Sequence, residues 1–188
     1  MNTSLVSRRL LPALALVALA IAIPALAYAG PPKPAVPQQI AVVDGYKPFL
    51  VAHAVGVQIH ECIQDAGGYR WRFVGPRANL YGDNGKLIAT HFAGPSWQAR
   101  DGSKVTATLD GTGSVTVDST AIPWLRLRVT SATAGSDGDR LVAAKYIQRI
   151  NTAGGLAPAA ADCNAATLGR VAEIPYTADY VFWKRTGN

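Results

Sequence analysis

Apolar and polar residues alternate along much of the chain after residue 46, the pattern of strands that bury one face. The alternation is clearest where Tyr69, Trp71 and Phe73 are separated by Arg70 and Arg72. Similar runs occupy residues 57–64, 86–92, 104–109 and 125–129. Turn signals separate these runs, and Asn84-Gly85 is a strong one because both residues tolerate positive φ. The pattern predicts an all-β, mainly antiparallel, single-domain sandwich or barrel with a loop-rich C-terminal third.

Glycine and proline set the predicted strand boundaries. A first strand over residues 49–55 is expected to stop near Gly56, and the hairpin formed by residues 57–64 and 69–73 is expected to end at Gly75-Pro76. Residues 141–150 are predicted as a long strand, with a helix as the alternative, and residues 151–155 as the end of regular structure. A last strand covers residues 173–183, where Pro175 indicates an edge or entry position.

The N-terminal residues have the three parts of a secretory signal peptide. Arg8-Arg9 precedes an apolar run, and the small-residue pattern Ala27-Tyr28-Ala29 predicts cleavage before Gly30. A transmembrane helix is the alternative, but Pro12 and Pro24 bracket a run shorter than the roughly 20 residues that a span needs. We therefore expect residues 1–29 to be removed and the protein to be extracytoplasmic, periplasmic or secreted, without stable membrane insertion. Export by the general or the twin-arginine route stays open.

The segment after the signal peptide is rich in proline. We expect a proline-rich leader over residues 30–46, extended and mobile over residues 30–37, followed by one β-rich domain over residues 47–188. Loss of Arg8 and Arg9 lowers the formal charge from +6 to +4, a mild excess whose lysines and arginines are scattered. A nucleic-acid partner is therefore not expected.

The chain has two cysteines, Cys62 and Cys163. After export they would meet an oxidising compartment, so a disulfide between them is the first expectation. It would close a loop of about 100 residues, for which chain entropy gives an upper figure of about 4 to 5 kcal/mol. A catalytic or metal-binding thiol is the alternative.

Candidate catalytic and metal-binding groups are few. The possible ligands His53, His60, Glu61, His91 and Asp101 lie on separate strands without metal-binding spacing, so no metal or other cofactor is predicted. Ser96 or Ser103 with His91 and Asp101 would supply the groups of a nucleophilic triad, but a G-x-S-x-G elbow is missing and Asp101-Gly102-Ser103 also reads as a plain turn. No catalytic residue is predicted.

Residues 91–103 are the best candidate for a binding surface. Trp71 and Trp183 are assigned to packing, whereas Trp97 and Trp124 lie near prolines and loops. We expect the Gly94-Pro95 break to lift Trp97 away from regular pairing, so that His91, Trp97 and Asp101 line one groove, with Trp124 as a further contact. Exposed aromatic rings beside polar turns suit sugar or aromatic ligands. A buried Trp97 that fills the core is the alternative.

The motifs also resemble an exported family catalogued as domain of unknown function 3455. The resemblance covers nearly the whole mature chain and rests on these pieces: Gly56-Val57-Gln58-Ile59 leading to Cys62, Trp71-Arg72-Phe73 with Gly75-Pro76, His91-Phe92-Ala93-Gly94-Pro95-Ser96-Trp97, Asp101-Gly102-Ser103, Ile122-Pro123-Trp124-Leu125, Ile147-Gln148-Arg149, Thr152-Ala153-Gly154-Gly155 and Pro175-Tyr176-Thr177-Ala178-Asp179-Tyr180. It implies an exported β-rich domain and brings no activity with it.

Three functions follow from the sequence as expectations. The first is an extracytoplasmic ligand-binding module, for which a carbohydrate or a cell-envelope component is the expected partner. The second is a small secreted hydrolase or metal-dependent enzyme, and the third is a structural or stress-related exported protein. A binding module predicts an aromatic ring beside polar loops, whereas an enzyme predicts histidine and aspartate converging in a cleft.

Overall fold

The protein is an eight-stranded antiparallel barrel in which each strand pairs with its neighbours in sequence and the last strand pairs with the first. This description comes from a computed structural model and covers residues 30–187. The strands are β1 (Tyr46–Asp65), β2 (Gly68–Tyr81), β3 (Leu87–Phe92), β4 (Ser96–Ala99), β5 (Lys104–Val115), β6 (Trp124–Thr133), β7 (Tyr146–Gly154) and β8 (Val171–Arg185). The prediction of an all-β, mainly antiparallel fold is confirmed, and the barrel is the form it takes.

Helical structure is minor. Two 3₁₀ turns, Gln38–Ile40 and Ala160–Asp162, lie before β1 and between β7 and β8. Within residues 30–187 no helix is long and apolar enough to span a membrane. The signal peptide predicted for residues 1–29 lies outside the described residues.

The barrel interior combines many small side chains with a few large ones. Alternate residues of the strands point inward, and an eight-stranded barrel is just wide enough for its side chains to fill. The small ones are alanines from several strands, and the large ones come mainly from β4 and β8: Ala52, Ala54, Ala78, Ala89, Ala99, Ala107 and Ala178 against Trp97, Tyr176, Tyr180 and Phe182. The aromatic rings therefore occupy space that the alanines leave.

Two predicted boundaries on the first hairpin are wrong. Gly56 lies in the middle of β1, opposite Ala78, rather than at a strand end. A Cβ atom on Gly56 would lie 2.2 Å from the Arg77 carbonyl oxygen, so glycine is needed there for close strand contact. Gly75 and Pro76 likewise lie within β2, beside a register shift between Ile59 and His60.

The predicted boundaries near the C-terminus also need correction. Residues 141–145 form a turn, and β7 begins at Tyr146 and continues to Gly154. A register shift between Ile150 and Ala153 includes Asn151, whose φ of 51° is left-handed. Pro175 lies inside β8 and pairs with Val57 of β1, whereas the β7–β8 pairing ends at Tyr176, so the edge predicted at Pro175 is present on the β7 side.

The proline-rich leader packs against the outside of the barrel. Ile40 and Val42 are buried in an outer cluster that includes Trp183. The Ile40 carbonyl accepts a hydrogen bond of 2.7 Å from the Gln148 side-chain amide. This part of the leader, which follows residues 30–37, is therefore held against the barrel, because its apolar residues find a partner surface on β7 and β8.

The turns divide into two sets at opposite ends of the barrel. The first end, here called the upper end, carries the connections at residues 66–67, 93–95, 116–123 and 155–170. The lower end carries those at residues 82–86, 100–103 and 134–145. This division decides which of the predicted site residues can meet.

The predicted disulfide is present and holds the longest upper loop. Cys62 of β1 and Cys163 are bonded, with their Cα atoms 5.3 Å apart. Backbone hydrogen bonds from Cys62 to Arg170 and from Gly169 to Cys62 hold the end of the same loop. Residues 155–170 are thus fixed over the upper end although they contain little regular structure.

Candidate functional site

The upper end of the barrel contains a cavity of about 190 Å³. Seven of the eight strands contribute to its wall. The wall is mostly apolar and consists of Gln58, Phe73, Val74, Gly75, Pro76, His91, Gly94, Pro95, Trp97, Leu125, Leu127, Arg149 and Tyr180. An apolar cavity with a few converging polar groups is the usual form of a small-molecule site.

Three contacting rings, those of His91, Trp97 and Tyr180, form part of this wall. His91 and Trp97 face each other across the β3–β4 pair, and their rings are parallel with centroids 4.3 Å apart. Tyr180 of β8 lies edge-on to both, at 4.9 Å from His91 and 5.5 Å from Trp97. The short β3–β4 turn therefore places an aromatic surface inside the barrel.

His91 is a neutral imidazole that presents an acceptor. Burial lowers its pKa to about 3, and the nearby Arg149 charge acts in the same direction. Its Nδ1 lies 2.9 Å from the Ser96 carbonyl oxygen, which can only accept a hydrogen bond. Nδ1 therefore carries the proton, and Nε2 is left as an acceptor.

Two buried donors in the wall have no hydrogen-bond partner among the described residues. They are the side-chain amide nitrogen of Gln58 and the indole Nε1 of Trp97, on residues that are 2% and 0% exposed. Buried polar groups in folded proteins are nearly always hydrogen-bonded, because an unpaired one costs about 1–3 kcal/mol. Both residues line the cavity, although neither nitrogen atom is exposed in it, so a small side-chain movement would pair these donors with acceptors of a ligand.

Arg149 adds a positive charge to the same wall. Its Nε and Nη2 donate to the Pro123 carbonyl oxygen at 3.1 and 2.8 Å. Within residues 30–187 it makes no ion pair. Burial raises the pKa of Tyr180, and the Arg149 guanidinium opposes part of that rise.

A second cavity of about 210 Å³ adjoins the first. Gln58, Phe73 and Arg149 line both, and residues of the disulfide-bonded loop, Gly155 and Leu156 among them, close the far side. The shared residues place the Arg149 charge between the two spaces.

The structure brings together only part of the predicted binding surface. His91 and Trp97 line the cavity, but Asp101 lies in the β4–β5 turn at the lower end. From Trp97, β4 continues to Ala99 and the chain then enters this turn, so Asp101 lies beyond the far end of the strand from the upper cavity. Trp124 begins β6 at the upper end, yet it packs in the outer cluster, because the alternate residue Leu125 takes the inward direction.

The expectation that Gly94-Pro95 lifts Trp97 out of regular pairing is wrong. Trp97 pairs with His91 on one side and Val105 on the other, and it is fully buried. The alternative prediction, a buried Trp97 that fills the core, is correct about its burial. Trp97 is nonetheless part of the cavity wall.

The groups considered for catalysis are divided between the two ends. The Asp101 carboxylate accepts hydrogen bonds from the Ser103 hydroxyl at 2.6 Å and from the Arg140 backbone at 2.9 Å, which lower its pKa. His91 contacts Ser96 only through the backbone carbonyl. In the described part of the chain, no three His, Cys, Asp or Glu side chains are grouped as metal ligands.

Sequence reasoning missed Gln58, Arg149 and Tyr180 as cavity residues. Gln58 belongs to an alternating run whose polar side faces inward, with Gln58, His60 and Cys62 all buried. Arg149 is concealed because β7 is buried on both faces, so its polarity does not alternate. A polar or charged residue at an inward position of a strand is the available signal, and it needs the strand register to be recognised.

The comparisons with known proteins agree with this β-rich domain. Residues 44–184 match the family described as "Protein of unknown function (DUF3455)". No curated protein and no solved structure matches the chain. The match covers most of the chain and all of the barrel except Arg185, the last residue of β8, so the protein belongs to the DUF3455 family.

Proposed function

We propose that this protein is a binding module that holds a small, largely apolar ligand in the upper cavity of the barrel. The observation that carries the proposal is the pair of buried, unpartnered donors, Gln58 Nε2 and Trp97 Nε1, on residues of the described wall of a mostly apolar cavity. Eight-stranded barrels of other proteins hold one small ligand inside in this way.

The cavity favours a ligand with an aromatic or aliphatic body. Its volume of about 190 Å³ is below the roughly 300–1,000 Å³ of drug-sized sites and near the roughly 150 Å³ of a cavity that binds benzene. The wall offers few polar groups, whereas a sugar carries hydroxyl groups on all sides. A one-ring ligand with a short substituent thus fits better than the carbohydrate considered from sequence.

The place of action is part of the proposal. A disulfide is typical of oxidising compartments, and Cys62–Cys163 is compatible with the extracytoplasmic location expected from residues 1–29. A periplasmic or secreted binding protein is the function these observations support.

Blocking the cavity tests the proposal. Leu125 lines the cavity, so Leu125→Trp should place extra side-chain volume in it. Leu109→Trp is the matched control, because Leu109 lies on the neighbouring strand β5 and is 44% exposed. Two probes with the same body, 4-propylbenzoate and 4-propylbenzyl alcohol, are titrated into each folded variant by isothermal titration calorimetry.

The wild type and Leu109→Trp should bind at least one probe, and Leu125→Trp should weaken that binding about tenfold or more, since it removes the apolar contacts of most of the probe. The proposal is wrong if neither probe binds the wild type, or if the two variants affect binding equally.

A further inference from the structure

We infer that the ligand of the upper cavity is a carboxylic acid, whose carboxylate binds Arg149 while its apolar body lies against Trp97. This inference rests on the proposed function and names the class of ligand. Arg149 is the cation of the cavity wall, and neither its own cavity nor the adjoining one has an aspartate or glutamate in its described lining.

The charge on Arg149 is not neutralised by the described protein. Several other arginines form ion pairs with carboxylates. Arg126, for example, lies 2.9 Å from Asp110. Arg149 instead uses two N–H groups on one backbone carbonyl and contacts the Tyr180 hydroxyl, and a guanidinium has five N–H groups, so some are left for a further acceptor. Partly buried charges are normally paired, so an anion is the ligand group that this position lacks.

The neighbouring polar groups agree with an acceptor-rich head group. Gln58 Nε2 is a second unpartnered donor of the described wall, and it lines both cavities together with Arg149. A carboxylate only accepts hydrogen bonds, and its planar shape matches a guanidinium. His91, in contrast, is neutral and presents an acceptor, so it gives the carboxylate no additional charge to bind.

The position of Arg149 also orients the ligand. Arg149 lines the boundary between the two cavities, whereas Trp97 lines only the first. A carboxylate at Arg149 therefore directs the attached body either towards the aromatic rings of the first cavity or towards Leu156 in the second. The first direction offers aromatic stacking, which favours a flat body with the acid at one end.

The experiment compares 4-propylbenzoate with 4-propylbenzyl alcohol at pH 7 and low salt. Their bodies are the same, so the ratio of the two dissociation constants isolates the head group. Wild-type protein should bind the carboxylate about tenfold tighter or more, the usual size of a charge-assisted hydrogen bond. Arg149→Gln should remove this preference by weakening the acid and leaving the alcohol within about threefold, and Arg149→Lys should restore part of it.

Arg100→Gln is the charge-matched control, because Arg100 is exposed at the lower end and should keep the full preference. Equal affinity of the wild type for acid and alcohol would overturn the inference and leave the binding function standing. Absence of binding by both probes would overturn the proposed function as well. If Arg149→Gln fails to fold, the ratio of the two dissociation constants for the wild type still tests the inference, since that comparison needs no variant.

Discussion

Trp97 has two roles that the sequence presented as alternatives. It is fully buried, which makes it a core residue, and one face of its ring stacks on His91. It also lines the upper cavity, and its indole nitrogen has no partner in the described protein. A loss of stability on its removal is thus compatible with a role in binding.

Truncation of this residue should be costly. Trp97→Ala is expected to lower the free energy of unfolding by about 3–5 kcal/mol, because it leaves a large cavity among side chains that cannot close it. Trp124→Ala is the control, since Trp124 is only half-buried on the outer surface and should cost less. Urea denaturation measures both, and a loss below about 1 kcal/mol for Trp97→Ala would show that its burial contributes little.

Single residues explain why part of the site was predictable. His91 and Trp97 are six positions apart with a Gly94-Pro95 turn between them, so a tight hairpin brings them together. Asp101 is only four positions beyond Trp97, but the direction of β4 takes it to the other end of the barrel. Residues close in sequence therefore meet when a turn lies between them, as for His91 and Trp97. They do not meet when they follow one another along a strand, as for Trp97 and Asp101.

At the scale of elements, His53 connects three parts of the fold. This β1 residue contacts Asp179 of β8 at 2.7 Å and Asp83 of the β2–β3 turn at 2.9 Å. Both hydrogen bonds raise the pKa of His53 above its usual value, and the one to Asp83 has the larger effect. The carboxylate of Asp179 is held in turn by the side chain of Asn151 at 2.8 Å.

This bridge predicts a pH-dependent contribution to stability. A pKa raised by folding means that the native state holds the proton more tightly, so the contribution is full below pH 6.5 and is lost as pH rises through the folded pKa. His53→Gln should therefore cost most at low pH. The expected loss is about 0.2–1 kcal/mol, because the side chain is 46% exposed and solvent screens it.

Thermal melting of the wild type and His53→Gln between pH 5 and 9 measures this difference. His60 and His91 titrate in the opposite direction, because burial lowers the pKa of both, but they are common to the two proteins and cancel. A gap in melting temperature that stays constant with pH would contradict the proposed protonation of the bridge.

Strands with a solvent-exposed face were predictable from the sequence pattern, whereas strands buried on both faces were less so. The alternation over residues 69–73 gave a strand because that part of β2 lies near the barrel surface. Its aromatic side is not core, however, since Tyr69 is 37% and Phe73 is 53% exposed. The packing assigned to Trp71 is partial as well: it is half-buried and donates to the Ala159 carbonyl of the upper loop.

The leader shows the same limit of local patterns. Its prolines correctly indicated extended backbone, but nothing in residues 30–46 alone shows that Ile40 and Val42 have a surface to cover. That surface consists of outward-facing residues of β7 and β8, including Val181 and Trp183. Because β8 is covered on both sides there, Tyr180, Val181, Phe182 and Trp183 form a continuous apolar run instead of an alternating one.

At the scale of the whole molecule, the site is a consequence of barrel closure. Residues far apart in sequence, from Gln58 of β1 to Tyr180 of β8, reach one cavity because β8 pairs with β1. The disulfide then fixes the loop that lines the second cavity, with a sequence separation of 101 residues. Sequence patterns gave the strands and the disulfide, but the register that makes Arg149 face inward required the three-dimensional fold.

The central claim is that a ligand binds beside Trp97, and the four tryptophan indole signals in a ¹H–¹⁵N correlation spectrum test it most directly. The other indoles serve as internal references, since Trp183 Nε1 donates to Gln148 at 2.8 Å and Trp124 lies on the outer surface. A Trp97→Phe variant assigns the signal.

On titration with 4-propylbenzoate, the Trp97 Nε1–H signal should move with a saturable dependence, because the aromatic ring of the probe comes to lie beside it. The signals of Trp183 and Trp124 should stay in place. A Trp97 signal that does not move while the probe saturates the protein would contradict the account, because the ligand would then bind elsewhere.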